Sequence, residues 1–146
     1  MEQYADFSLK VVAGAVDYMS KYFSYPFPLS KLDMVALPQH ANRGETENWG
    51  IILGNYERMM VDMDYADVAT LSDVAITLAH GVVHQWFGDL VTMVWWSNVF
   101  LYEGLAEYWA LNAASYVLPE QKEYFLVSDR RVSDTIFMYN VSVDKK

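Results

Sequence analysis

The feature that most constrains the fold is an apolar stretch over residues 70–87 that stops at Gly88. A run of this length, followed at once by glycine, is typical of a buried helix. Ser72 and Asp73 are candidate N-terminal caps, because short polar side chains can accept a hydrogen bond from the first free backbone N–H groups. We therefore predict a buried helix over about 70–87.

This predicted helix carries two histidines, His80 and His84, which are four residues apart. On an α-helix that spacing projects both imidazoles from nearly the same angle, so that they can hold one metal ion. Eighteen residues separate His84 from Glu103, which lies on the next predicted helix and would complete a site of two histidines and one carboxylate. Such a set leaves one position open for water, as in catalytic zinc sites. Taken alone, the histidine pair is equally consistent with two hydrogen-bonded core residues.

Composition limits the alternatives. The 146 residues suffice for one domain, and 53% hydrophobic content excludes intrinsic disorder. The net charge of −9 disfavours binding to nucleic acid. The chain has no cysteine, so any metal must be bound by histidine and carboxylate, and the redox compartment stays open. No apolar run reaches the length that crosses a bilayer, so we predict no membrane segment in this chain.

Periodicity predicts a mostly helical α+β fold with a small sheet. Besides the histidine helix, apolar residues recur at helical spacing over three segments: about 5–23, about 99–117 and about 119–139. In the segment over 99–117, Glu103 and Glu107 share one face, and the predicted recurring set on the other consists of Leu101, Leu105, Tyr108, Trp109 and Asn112. Two strands are predicted, at 31–37 and at 49–53, the second as a possible edge strand lining a groove.

The residues around the histidines resemble a known family. The segment A-H-G-V-V-H-Q-W-F-G-D-L-V-T-M at 79–93 and L-Y-E-G at 101–104 are similar to the zinc-binding region of the aminopeptidase N family of metallopeptidases, H-E-x-x-H-Q-W-F-G-N-L-V-T followed by N-E-G. Upstream, G-E-T-E-N-W-G at 44–50 resembles the exopeptidase signature of that family, G-A-M-E-N-W-G. The resemblance runs from about Tyr22 to Glu107. It implies that residues 1–146 are part of a thermolysin-like zinc peptidase catalytic domain.

The resemblance assigns roles to individual positions. His80, His84 and Glu103 are implied as ligands of one zinc ion, and Glu47 as the carboxylate that binds the free α-amino group of a peptide. The loop at 44–50 is implied to lie along the substrate, with Gly44, Glu45 and Asn48 contributing to that contact. Peptide N-termini are therefore the implied partners.

Gly81 is the main departure from the family pattern, because the catalytic glutamate of the family occupies this position. That glutamate moves a proton between the attacking water and the leaving amine. Helix geometry directs a side chain at 81 toward the open coordination position. We therefore expect a zinc aminopeptidase fragment with little or no hydrolysis, a pseudoenzyme. The alternative is a non-catalytic, aminopeptidase-like module that binds peptides or a partner.

Three further expectations follow from the resemblance. Glu107 is expected either to orient a histidine N–H or to be a solvated acid. Trp86, Phe87, Trp95 and Trp96 are expected to be core residues. A tyrosine that stabilises the oxyanion in the family falls beyond Lys146, so further domains of a longer parent, or an active relative, are candidate partners. Exposed apolar surface is expected where such parts would pack.

Overall fold

The computed structural model describes residues 2–39 and 46–127. The elements of this part are four α-helices, three strands and two short 3₁₀ helices: α1 Glu2–Tyr22, β1 Asp33–Leu37, β2 Thr46–Asn48, β3 Ile51–Asn55, α2 Tyr56–Met59, α3 Val68–His84, a 3₁₀ turn at Trp96–Asn98, α4 Val99–Val117 and a second 3₁₀ turn at Pro119–Gln121. The predicted α+β class, mostly helical with a small sheet, is confirmed. None of the helices in this part of the chain is long and apolar enough to cross a membrane.

Helix α1 covers one side of the histidine helix. Its buried side chains include Phe7, Val11, Ala15 and Met19, at steps of three and four residues that place them along one face. Leu9 lies off this face and is exposed. The helix ends before two prolines, which cannot continue it.

The sheet has the strand order β1-β3-β2. Strand β3 pairs parallel with β1 and antiparallel with β2, and Glu47 of β2 lies opposite Ile52 of β3. The prediction of an edge strand at 49–53 was therefore wrong: β3 is central. Gly50, with φ +84°, lets the chain turn back so that residues 46–48 pair with β3 and become the edge.

Helix α3 begins earlier than predicted. Its N-cap is Asp67, whose side chain accepts a hydrogen bond from the Thr70 N–H, so the caps predicted at Ser72 and Asp73 were wrong. Ser72 is instead fully buried and donates a hydrogen bond to Gln121 at 2.6 Å. The helix ends at His84, which places both histidines in its last turns.

Helix α4 packs on α3 and α1 mainly through small residues, and of the predicted set Trp109 also packs against the core. Leu101 and Tyr108 are exposed. The buried side chains of α4 are four alanines and one leucine: Ala106, Ala110, Leu111, Ala113 and Ala114. Alanine favours the helix and lets two backbones approach closely, and this face brings the N-terminal half of α4 toward the histidines.

The aromatic residues after α3 divide into two groups. Trp86 is buried and Phe87 packs against the core, as predicted. Trp95 and Trp96 are 69% and 70% exposed, so their prediction as core residues was wrong. They lie at the 3₁₀ turn before α4, outside the packed helix faces, and with Val94 they form an exposed apolar surface.

Candidate metal centre

Two imidazoles meet at the C-terminal end of α3. The Nε2 atoms of His80 and His84 are 2.9 Å apart. The side chain of His84 is 1% exposed and that of His80 is 17% exposed, so both are largely removed from water. The predicted spacing thus brings the two side chains to one point at the edge of the core.

The other ring nitrogen of each histidine has its own partner. His84 Nδ1 lies 3.0 Å from the carbonyl oxygen of Phe87, and His80 Nδ1 lies 3.2 Å from Oε2 of Glu107. Both partners are acceptors, so each Nδ1 carries the proton and donates. In neutral imidazoles this leaves two Nε2 lone pairs facing each other, an arrangement that a cation stabilises. The donor set therefore fits a metal ion.

Glu103, in the second turn of α4, supplies the nearest carboxylate. Its Oε2 lies 3.4 Å from His80 Nε2 and 3.7 Å from His84 Nε2. When the two histidines are protonated, their Nε2–H groups face this carboxylate, and hydrogen bonding to them lowers the pKa of the Glu103 carboxyl to about 2. The structure thus brings together the three residues predicted as ligands, although they come from two helices.

Glu107 lies one turn after Glu103 and faces His80. Of the two roles left open by the sequence, its contact with Nδ1 favours orientation of the imidazole. Burial lowers the pKa of His80, but the hydrogen bonds and negative charges of Glu103 and Glu107 outweigh it and raise the pKa to about 10. The two carboxylates thus give the site a strong preference for positive charge.

Glu47 reaches the same site from the sheet. One of its carboxylate oxygens and one ring nitrogen each of His80 and His84 all lie within 4.8 Å of one another. Asn48 follows on β2 and is exposed, and its carbonyl oxygen faces α3. Gly44 and Glu45, which were predicted to contact substrate, lie outside the described residues.

Gln85 attaches the edge of the sheet to α3. Its Oε1 accepts a hydrogen bond from the Gly50 N–H at 2.8 Å, and its Nε2 donates to the carbonyl oxygen of Asn48 at 3.1 Å. The side chain is fully buried. Sequence reasoning did not assign Gln85 a role, although it directly follows His84 within the recognised motif.

Residues 7–144, nearly the whole chain, match the Peptidase family M1 domain. The chain belongs to peptidase family M1. It is 52% identical to Putative aminopeptidase-2 of Caenorhabditis elegans over 131 residues, which are 89% of this chain and 7% of that protein. The resemblance to aminopeptidases stated from the motifs is confirmed.

Other relatives are more distant and also much longer. The chain is 36% identical to the thyrotropin-releasing hormone-degrading ectoenzyme of Rattus norvegicus over 83% of this chain and 12% of the relative. It is 35% identical to endoplasmic reticulum aminopeptidase 1 of Homo sapiens over 83% of this chain and 13% of the relative. This M1 chain therefore spans about a tenth of the length of these relatives.

Two residues of this M1 chain alter the surroundings of the histidines. A Cβ placed on Gly81 would lie 3.0 Å from Cγ2 and 3.2 Å from Cδ1 of Ile52, closer than side chains normally pack. Any side chain at 81 therefore meets the fully buried Ile52 of β3 first. Sequence reasoning missed this contact, because no local pattern pairs residues 52 and 81.

The second is Tyr102, where the family motif has asparagine. Its ring packs on that of His84, with centroids 4.4 Å apart. Gly88, with φ +152°, permits this position, since a Cβ there would lie 2.8 Å from the tyrosine ring. Burial, together with the charges of Glu47, Glu103 and Asp89, raises the pKa of Tyr102 to about 12. The phenol therefore stays neutral and adds no charge to the acidic site.

Proposed function

We propose that this M1 chain is the metal-binding part of a zinc metallo-aminopeptidase. His80, His84 and Glu103 would hold one zinc ion, and Glu107 and the Phe87 carbonyl would orient the imidazoles. The observation that carries the proposal is the approach of the two Nε2 atoms to 2.9 Å, with the Glu103 carboxylate within 3.7 Å of both. Bound zinc would supply Lewis acidity toward a peptide carbonyl and toward water.

Peptide N-termini are the proposed ligands of the same site. A free α-ammonium group differs from an internal amide by its charge, and Glu47 offers a carboxylate at the edge strand beside the histidines. Asp89 is a second carboxyl nearby, and its pKa is raised by burial and by the charge of Glu47, against the opposing effect of His84. The backbone of the segment at 44–48 would bind the peptide as an added strand.

Hydrolysis by the chain itself is proposed to be weak. Gly81 supplies no group that could move a proton between water and the leaving amine, and loss of a general acid–base costs roughly 10²–10⁴ in rate. Glu103 and Glu107 are both engaged with the histidines. Binding of metal and peptide does not depend on that proton transfer.

The test of metal binding is zinc stoichiometry in the 146-residue chain. We expect about one zinc per chain and loss of zinc in His80→Ala and His84→Ala. A folded chain without zinc affinity would contradict the proposal. The test of impairment is hydrolysis of aminoacyl arylamides by Gly81→Glu, both in this chain and in any longer protein that contains it.

Gly81→Gln is the matched control, since it crowds Ile52 equally but supplies no base. We expect activity from Gly81→Glu and none from Gly81→Gln, and a further gain when Ile52→Val removes Cδ1 from the contact. Equal activities of the Glu and Gln variants would show that a base at position 81 is not what limits the reaction.

A non-catalytic binding module is the second candidate, and one observation favours it: Ile52 packs closely against Gly81 and would crowd a side chain there. In this case the chain would bind peptide N-termini, or pair with the remaining domains of a parent or with an active relative through the exposed surface around Trp95 and Trp96. Peptide binding that survives removal of zinc, with no activity in Gly81→Glu, would support it.

A further inference from the structure

The carboxylate of Glu47 lies beside the two histidines. One of its oxygens and one ring nitrogen of each of His80 and His84 all lie within 4.8 Å of one another. Glu103, on α4, also approaches both histidines: its Oε2 lies 3.4 Å from Nε2 of His80 and 3.7 Å from Nε2 of His84. Two carboxylates from different parts of the fold thus converge on one pair of imidazoles.

The contact between Gly81 and Ile52 explains how the sheet comes so near to α3. Ile52 is fully buried against the glycine, and Glu47 is its cross-strand partner. A Cβ at 81 would lie 3.0 Å from Cγ2 of Ile52, so Ile52 would have to give by a few tenths of an ångström. The two hydrogen bonds of Gln85 hold the turn after β2 on the same helix. Gly81 and Gln85 thus both contact the part of the sheet that carries Glu47.

The distances among three of the side chains are close to those of a tetrahedral site, and Glu47 forms a second group of three with the same two histidines. Tetrahedral zinc with bonds of 2.0–2.2 Å to nitrogen and oxygen places neighbouring ligand atoms about 3.3–3.5 Å apart. The atoms of His80, His84 and Glu103 are separated by 2.9, 3.4 and 3.7 Å. Rotation about the side-chain torsions of Glu47 moves its oxygen over the remaining distance.

We propose that Glu47 is a fourth metal ligand in this chain and closes the coordination position that catalytic sites leave open. The inference rests on the proposed metal site. Two carboxylates neutralise a divalent cation, and a set of four protein ligands is typical of structural zinc sites. A peptide ammonium and the metal then compete for one carboxylate, so that binding of a peptide N-terminus withdraws Glu47 from the metal.

Cobalt(II) is the probe, since it replaces zinc and absorbs visible light. Affinity is measured by competition with a chelator in the 146-residue chain, in Glu47→Gln and in Glu47→Asp, with Glu57→Gln as the charge-matched control on the exposed side of α2. We expect both Glu47 variants to lose at least roughly 10-fold in affinity. The control should match the unaltered chain.

Azide reports on an open coordination position. We expect it to leave the cobalt spectrum of the unaltered chain unchanged and to shift that of Glu47→Gln. Gly81→Ala should behave like a weaker version of Glu47→Gln, because the added Cβ crowds Ile52, the cross-strand partner of Glu47. Far-ultraviolet circular dichroism on each variant establishes that the comparison is between folded chains.

Contrary results would distinguish an error about Glu47 from an error about the metal site itself. If azide shifts the spectrum of the unaltered chain and Glu47→Gln binds cobalt with unchanged affinity, Glu47 is not a ligand, while loss of cobalt in His80→Ala would keep the proposed metal site. If His80→Ala and Glu103→Gln also bind cobalt as tightly as the unaltered chain, the metal site itself is wrong.

Discussion

At the scale of single residues, the candidate centre depends on which ring nitrogen each histidine leaves free. The Phe87 carbonyl and the Glu107 carboxylate each take one Nδ1–H, so both Nε2 atoms point to the same place. Such acceptors fix the tautomer and the ring orientation before a metal arrives. Their contribution can be measured separately from that of the ligands.

Removing the acceptor of His80 should weaken metal binding without abolishing it. In Glu107→Ala the His80 ring loses its partner at 3.2 Å, and we expect a loss of roughly 10–100-fold in zinc affinity. Glu107→Gln keeps an amide oxygen as acceptor and should recover part of the affinity. Competition titration with a chelator measures the zinc affinity. Equal affinities for the unaltered chain and both variants would show that Glu107 is a solvated acid and does not orient His80.

At the scale of elements, one buried side chain joins the sheet to the histidine helix. Gln85 bonds to both ends of the turn between β2 and β3, so the edge strand that carries Glu47 cannot move independently of α3. The small residues of α4 act in a similar way on the other side, because they let Glu103 and Glu107 approach the histidines.

Gln85→Ala should therefore loosen the edge of the sheet. The change leaves the Gly50 N–H and the Asn48 carbonyl without their partner, and we expect unfolding free energy to fall by about 1–3 kcal/mol. Urea denaturation measures the loss, and faster hydrogen exchange at the Gly50 amide locates it. Asn112→Ala is the control, since within the described residues that amide donates to the Tyr108 carbonyl of the same helix. A loss of the same size in this control would refute the special role of Gln85.

At the scale of the whole molecule, the proposed ligands lie on two helices and the edge of the sheet. A metal ion bound there would hold together parts that are far apart in sequence, and it would bind only the folded chain. Metal binding should therefore increase the free energy of unfolding of the whole fold.

Zinc should raise the melting temperature of the chain. At a free concentration about 100 times the dissociation constant the gain is about 2.7 kcal/mol, or roughly 5–10 °C for a chain of this size. Thermal unfolding with zinc and with an excess of chelator checks it. His84→Ala should melt at the same temperature under both conditions, and a shift in that variant would place the stabilising zinc elsewhere.

The sequence by itself determined the family, the α+β class and the histidine pair, because a four-residue spacing on a helix and a contiguous motif are local properties. The tertiary structure decided that β3 is central, that Glu107 faces His80, and that Ile52 packs closely against Gly81. These are contacts between segments distant in the chain, and no periodicity encodes them. The nearness of Glu47 to the histidines belongs to the same class, since it depends on the pairing of β2 with β3.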